Sequence, residues 1–505
     1  MNKPQLDKHA RRATRRRRKA GMVIVWCSLL MVVLIGMVGL IVDGGLLMAS
    51  RRHAQNGADA AALAAAFAKL KGASNGDAAT AATPFVTSAA HNNLPSASVA
   101  INIPPSEGPY AGTGNYAEAI VNAPAATYFI QVLPGIGAGG TVRAHAVAGY
   151  ELVRLGKGVM ALDPNAKPGL KISGQATLVV DGDVYVNSEG GGVDENGDPV
   201  IIGTNQTATT VNNNGSLIAA NLNVVGGVNS NGVDNIENIV SGEPNPLHAN
   251  QLPAPDPLLF LPTPTVANGV VDKFQGEPQA TSGGLSLNGP VDTDNYIRND
   301  GTPEAPINVM VLHPGIYTSI KITGGQVEFV PGIYVLKPAN DTTFTLEVTG
   351  GTVQAEGIMF YNTGSNYDAA TGAPDNADYL STAPPPPPDG AKFGNVKIND
   401  SIHMLPLNTD DYSYGSAPSA IEAFNGMLFY QRRQSNARTQ IEGDSADGYL
   451  AGTFYAKWGE LKIDGQGTYA GSFVVGSMSA EGQATMTIDP DGDELPMVPR
   501  IFLVE

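Results

Sequence analysis

The 505-residue chain contains a single cysteine, Cys27, and that residue lies inside an apolar run. Everything after the run therefore has no disulfide, no thiolate metal site and no cysteine nucleophile. Stability there must come from core burial, which favours a large regular β architecture over a small stapled domain. Histidine is scarce as well: His9, His53, His91, His145, His248, His313 and His403 are scattered, and no HExxH or HxxEH spacing occurs. That removes the familiar zinc-hydrolase pattern. A GxSxG elbow is also missing, since Gly471-Ser472 runs on into Phe473-Val474-Val475, which reads as strand. Charged residues are only 15% of the chain, too few for a highly charged disordered protein. Aromatics are few, whereas 60 Gly and 36 Pro point to many turns and short strands.

One long apolar run is present. Residues 22–42 carry no charge, follow the basic block Arg15, Arg16, Arg17, Arg18 and Lys19, and end at Asp43. At about 1.5 Å per residue such a helix spans the roughly 30 Å hydrocarbon core of a bilayer. The flanking basic block places the N-terminus in the cytoplasm and the bulk of the chain outside, periplasmic or extracellular, on a single pass. A cleaved signal peptide would have a shorter apolar core and a small-x-small site. Here the run continues into helix-forming sequence as far as Lys71-Gly72, so an uncleaved anchor is expected. Residues 1–20 hold nine of the 30 Lys and Arg and one acid, leaving 21 basic against 46 acidic residues, a net of −25. An exterior so acidic argues against nucleic acid as a partner.

The expected organisation is a cytoplasmic basic tail (1–21), a transmembrane helix (22–42), an extracytoplasmic helix (43–72) and a small α+β module (73–157). Within that module, 77–93 reads as helix interrupted by Pro84, SVAINI, YAEAIVNA and TVRAHAVAGYELV as strands, and ATYFIQVL as a short helix. A β-rich region (158–230), a Pro/Asn-rich insertion (231–308) and a further β region (309–505) follow, the last with a Pro-rich loop at 364–391. In that last region Pro314-Gly315-Ile316-Tyr317 recurs as Pro331-Gly332-Ile333-Tyr334, and Thr323-Gly324-Gly325 as Thr349-Gly350-Gly351. Short strands at near-coil spacing with Gly turns predict a parallel β-helix or solenoid, with a sandwich as the alternative. The fold class expected is thus α+β to mainly β.

The basic block, Gly21, the span ending in Val42-Asp43-Gly44, then Arg51, Arg52, Gln55 and Ala58-Asp59-Ala60-Ala61-Ala62-Leu63-Ala64 form a recognisable pattern. It resembles the TadG-like proteins of the Flp (tight adherence) pilus assembly system. The resemblance extends over the module to about residue 155, and GVMALDPNAKPGLKISGQATLVVDGDVYVNS looks like the region that follows it in many long members. It implies a membrane-anchored, non-enzymatic component of pilus assembly or surface attachment, with other pilus-assembly proteins or pilin subunits as partners. Many long members carry a von Willebrand A domain with a DxSxS metal site; this chain has no DxSxS. Pseudopilins processed by a prepilin peptidase have a glutamate five residues past the cleaved glycine, and here that position is Trp26. A permanent membrane component is therefore the reading, with Gly21, Asp43, Gly44, Arg51, Arg52, Asp59 and Leu63 as its assembly motif.

Asp43 is costly inside lipid, so it either reaches the headgroups or pairs with a partner helix. Asp59 either registers a helix–helix contact or is solvated. Other acids suggest calcium or acid–base chemistry only weakly. Asp489, Asp491 and Asp493 begin like an EF-hand loop, but the position of the bidentate acid is Arg500; Asp194, Asn196, Asp198, Asp292 and Asp294 also read as turn residues. No catalytic residue, cofactor or metal is assigned. Two alternative functions stay open. One is a surface adhesin with a β-solenoid binding region that touches cell-wall or surface polysaccharide. The other is a tethered β-helix polysaccharide hydrolase or lyase using Asp181 and Asp183, or Asp444 and Asp447, with Arg432 and Arg433 binding an acidic polymer.

Overall fold

A computed structural model describes residues 7–70, 72–129, 139–154, 158–200, 206–212, 214–270, 285–288, 296–339, 343–374, 391–399, 402–414, 421–444, 449–483, 485–490 and 496–504. The chain divides into two compact units, one of residues 1–152 with 499–505, the other of residues 153–498.

The first unit is built on one helix, α1, which runs from Asp7–Leu70 without a break. The apolar run and the Ala-rich segment are therefore one rod of roughly 96 Å, and the Gly44-Gly45 pair does not end it. Val23 to Leu40 stay largely exposed, as expected of a surface that faces an apolar solvent. The rod stops at Gly72, whose φ of +82° is open to glycine. The Gly72 N–H donates to the Lys69 carbonyl and the Ala73 N–H to the Ala68 carbonyl, a Schellman closure. Ser74 then caps α2 (Asn75–Ala82) by accepting from the Asp77 N–H, and Pro84 opens the one-turn α3 (Pro84–Thr87).

Three antiparallel strands follow: β1 (Ser98–Asn102), β2 (Tyr116–Ala125) and β3 (Gly140–Arg154). The C-terminal strand Met497–Leu503 adds a fourth, beside β3. Residues 499–505, expected with the last β region, thus belong to the first unit. Period-two alternation puts Ala117, Ala119, Val121 and Ala123 of β2, with Ala144, Ala146 and Ala148 of β3, on one face. Against that face pack Ala54, Ala58, Ala61, Ala62, Ala65 and Ala66, a helical stripe of α1. Alanine on both sides lets helix and sheet backbones approach closely, so the centre of this core is filled mostly by alanine methyl groups. The helix expected over ATYFIQVL is not formed where it is described: residues 126–129 are coil and bend, and 130–133 lie outside the described residues.

The regular structure of the second unit is strand apart from short 3-10 turns, and its body pairs in parallel. Gly332–Leu336 lies between residues 315–317 and 358–362; 360–362 then pair with 429–431, and 429–430 with 454–455. Two further ladders run alongside, through 320–322, 346–348, 396–398, 439–444 and 461–466, and through 309–312, 326–329, 352–355 and 402–404. One long strand, Tyr449–Glu481, contributes to all three, and its 473–475 and 478–480 segments pair with 159–161 and 170–172. Residues 159–248 therefore stack beyond the last strands rather than before residue 309, and both β-rich stretches share one sheet.

Inward side chains such as Val184, Leu222, Tyr334, Phe360, Phe429, Phe454 and Phe473 form one core. The ladder through Met427–Gln431 is buried on its outer side too, where Ile333, Val335, Met359, Tyr361, Tyr430 and Tyr455 meet Leu258, Tyr367, Leu407 and Phe424 from the intervening loops. A strand covered on both faces reads as a continuous apolar run, and MLFYQ does.

Candidate functional site

The residues singled out in the N-terminal pattern are placed along α1, and the structure gives them unequal roles. Asp43 is 1% exposed. Its Oδ1 accepts from the Tyr128 N–H at 2.9 Å and its Oδ2 from the Phe129 N–H at 2.8 Å. This is neither a snorkelling carboxylate nor one offered to another helix: it clamps the backbone of the turn that leaves β2. One helical turn earlier is Gly39, where a Cβ would lie 2.7 Å from the Cβ of Phe129. Glycine there allows the Phe129 side chain to lie against the helix backbone, while the carboxylate at i+4 on the same face holds the adjoining amides. Thr127 accepts from the Gly139 N–H at 3.0 Å, tying the start of the turn to the approach to β3. A Cβ at Gly44, by contrast, would meet nothing within 4 Å, so the close approach needs Gly39 and not the Gly44 of the motif.

Asp59 turns towards the sheet. Gln55 Nε2 donates to Asp59 Oδ1 at 2.8 Å and to the His145 carbonyl at 2.7 Å, which pins the helix to β3. Leu63 is half-buried and lines an open apolar groove of about 610 Å³ with Ala60, Ala64, Phe67, Phe85 and Ile501. Arg51 and Arg52 are exposed, and Gly21 lies within α1.

On the sheet face away from α1, Glu118 is 2% exposed and fully occupied. Its Oε2 accepts from Asn102 Nδ2 at 2.7 Å, Ser106 Oγ at 2.6 Å and the Ser106 N–H at 3.1 Å, and His145 Nε2 lies 2.8 Å from Oε1. Burial alone would raise its pKa, but the hydrogen bonds from Ser106, Asn102 and His145 outweigh it and bring it down to about 2. The pattern that marks it in sequence, an acid between alanines in YAEAIVNA, was read only as strand alternation.

The residues considered for sugar chemistry do not converge. Asp181 is exposed, while Asp183 accepts from Asn221 Nδ2 at 2.7 Å and from the Tyr185 hydroxyl at 3.3 Å. Asp447 lies outside the described residues. Arg432 and Arg433 are not on a solvated face; they are 0% and 6% exposed. Arg432 donates to Gln434 Oε1 and Asn366 Oδ1, each at 2.6 Å. Arg433 donates to the carbonyls of Leu258 and Leu261 at 2.9 and 2.7 Å and to the Tyr455 hydroxyl at 3.1 Å. Asp256 closes this cluster, accepting from the Tyr455 hydroxyl at 2.8 Å with Lys457 Nζ 3.7 Å away. Arg433 and Lys457 fasten the Pro/Asn-rich insertion to the ladder beneath it, and Arg432 ties in the 364–391 loop through Asn366.

Half-buried lysines on the adjoining ladder are matched by acids on neighbouring strands: Lys321 with Glu347, Lys397 with Glu442, and both Lys171 and Lys462 with Glu481. Lys171 and Lys462 together hold the Glu481 carboxyl at about 2. Of the calcium candidates, Asp194 Oδ1 accepts from the Asn196 and Asp198 N–H groups, both at 2.9 Å, as an Asx turn does. Asp292, Asp294, Asp491 and Asp493 lie outside the described residues, among which no cluster of three or more His, Cys, Asp or Glu is placed to hold a metal.

No curated protein matches the chain. Among solved structures, the competence-associated pilin ComZ from Thermus thermophilus aligns at 10% identity over 81% of this chain and 84% of that one, with a TM-score of 0.23. Residues 21–69 match the model of a family described as putative Flp pilus-assembly TadE/G-like. That match covers the span, the Asp43 clamp residue and the alanine stripe up to one residue short of the end of α1, so the chain carries a Flp pilus-assembly TadE/G-like domain at its N-terminal end.

Proposed function

We propose that the protein is a membrane-anchored, non-enzymatic component that assembles or anchors a Flp-type pilus at the cell envelope. The observation that carries this is the coincidence of the TadE/G-like match at 21–69 with one unbroken helix, whose first half is exposed and apolar and whose second half is the alanine core of the first unit. The helix crosses the inner membrane once, its basic end in the cytoplasm. Both compact units are then extracytoplasmic, and pilin subunits or other assembly proteins are the partners.

The parallel ladders of the second unit are the rungs of a β-helix-like solenoid, a shape suited to presenting an extended surface. A polyanion-cleaving role is disfavoured because Arg432 and Arg433 are spent on internal contacts and the ladder lysines face acids. Electron microscopy of cells lacking the gene, against complemented cells, tests the proposal. Loss of surface pili restored by complementation supports it, and unchanged pilus counts refute it.

A further inference from the structure

The turn clamped by Asp43 is apolar and exposed at an unusual place. Tyr128 and Phe129 are 60% and 48% exposed, yet Phe129 lies against Gly39, three residues before the end of the apolar run and about 6 Å along the helix from Asp43. The helix surface around it is apolar and equally open, with Leu40 at 57% and Ile41 at 74% exposed. We infer that the β2 end of the first unit dips into the outer leaflet, so that Tyr128 and Phe129 contact lipid beside the spanning helix; this rests on the membrane-anchored reading above.

Three features agree with lipid as the occupant. The aromatic pair is continuous with a helix surface whose length matches a bilayer. Tyrosine with an adjacent large apolar ring suits the headgroup boundary, where one end is wet and the other is not. Backbone N–H groups and a carboxylate are both costly at that depth, and here each satisfies the other: two amides bind the two oxygens of Asp43. The module is then held to the membrane at two points, which fixes its tilt relative to the surface as a single tether could not.

The test uses the full chain in phosphatidylcholine vesicles whose acyl chains are brominated near the headgroup (6,7) or deeper (11,12). Wild-type Trp26 reports on the span. In a Trp26→Phe background, which supplies the baseline from Trp458, Phe129→Trp and Tyr128→Trp are compared; the second replaces an exposed side chain and does not depend on the packing against Gly39. The inference expects the introduced indole to be quenched at least twofold, more strongly by the 6,7 than by the 11,12 lipid. Quenching of Trp26 without quenching of either introduced indole overturns the inference and leaves the anchor intact. Absence of quenching at Trp26 overturns both. Protection that grows with protein-to-lipid ratio assigns the aromatic pair to a second copy of the chain and overturns lipid contact.

Discussion

Replacing Asp43 by alanine should release the turn at Tyr128 and Phe129 while leaving the rest of the first unit folded. The carboxylate is 1% exposed and receives two amide N–H groups at 2.9 and 2.8 Å. Hydrogen bonds to a charged group contribute about 1.5–3 kcal/mol each, so the pair is worth roughly 3–6 kcal/mol of local stability. At about 1.4 kcal/mol per decade, the amides of Tyr128 and Phe129 should exchange with solvent deuterium about 10² to 10⁴ times faster in Asp43→Ala. Asp43→Asn keeps a carbonyl oxygen for one amide and loses the charge, so it should fall between the two. Hydrogen exchange on the full chain in lipid nanodiscs, read on the peptide covering residues 126–129, gives the ranking. Equal exchange in all three proteins would refute the clamp, and would mean that the Phe129 contact with Gly39 holds the turn unaided. A companion Gly39→Leu variant, whose Cβ would meet Phe129 at 2.7 Å, should loosen the same peptide with Asp43 intact.

Three further outcomes follow from the packing. Ala62→Leu inserts three carbons into a fully buried helix–sheet seam and should lower first-unit stability by about 1–3 kcal/mol in a thermal melt, whereas the same change at exposed Ala49 should not. Glu118 has its folded pKa lowered from 4.5 to about 2. Its stabilising contribution is therefore complete above about pH 4.5 and is lost as pH falls towards 2. It amounts to roughly 3 kcal/mol at most, and Glu118→Gln should flatten that stretch of the stability–pH curve. Arg433→Met strips donors from the Leu258 and Leu261 carbonyls and should cost about 3–5 kcal/mol. Limited proteolysis should then cut within residues 252–270 before the ladders unfold.

How far the sequence could be read depends on whether a feature is local. Hydropathy and the ADAAALA stretch mark α1 because helical periodicity repeats within a few residues. The matching alanines of YAEAIVNA and TVRAHAVA were visible as strand alternation, and together with the helical stripe they encode a helix–sheet seam. What the stripe packs against was not legible, since alanine favours close approach to any backbone: for Asp59 the sequence offers a helix–helix contact or solvent, and the partner is a sheet. Asp43 was legible as anomalous, but its partners were not: they are main-chain amides 85 and 86 residues away, and an amide has no sequence signature. For the same reason nothing distinguished Gly39 from Gly44. Arg432 and Arg433 suggested a binding pair for an acidic polymer in sequence, and their burial was not legible because it depends on loops contributed from residues 254–270 and 364–424. The TGG repeats, on the other hand, stack as neighbours, Thr323 beside Gly350, and a Cβ on Gly351 would sit 2.8 Å from the Gly325 carbonyl oxygen. Repetition in sequence there does mean repetition in space.

The connectivity decides how the second unit can be removed. The chain leaves the first unit at residue 152 and returns to it at 499, so the second unit is an insertion between two strands of the first sheet. The returning strand is part of that fold: Ile501 packs against the alanine core, the Phe502 ring meets Tyr116 edge-on at 6.3 Å, and the Val504 N–H donates to the Val147 carbonyl at 2.9 Å. Truncation at Gly158 would therefore delete the second unit and an edge strand together, exposing the β3 edge and removing Ile501 from the apolar groove beside Leu63. A loss of pili in that truncation could not be assigned to the second unit. Joining residue 154 to residue 497 through a short Gly/Ser linker keeps the strand and removes only the insertion. The linked deletion should melt within a few degrees of the first-unit transition of the full chain, and the simple truncation should melt well below it or aggregate. Equal melting of the two would show that the returning strand contributes nothing to the module. With the linked protein in hand, pilus counts then separate the work of the membrane-proximal unit from that of the ladders.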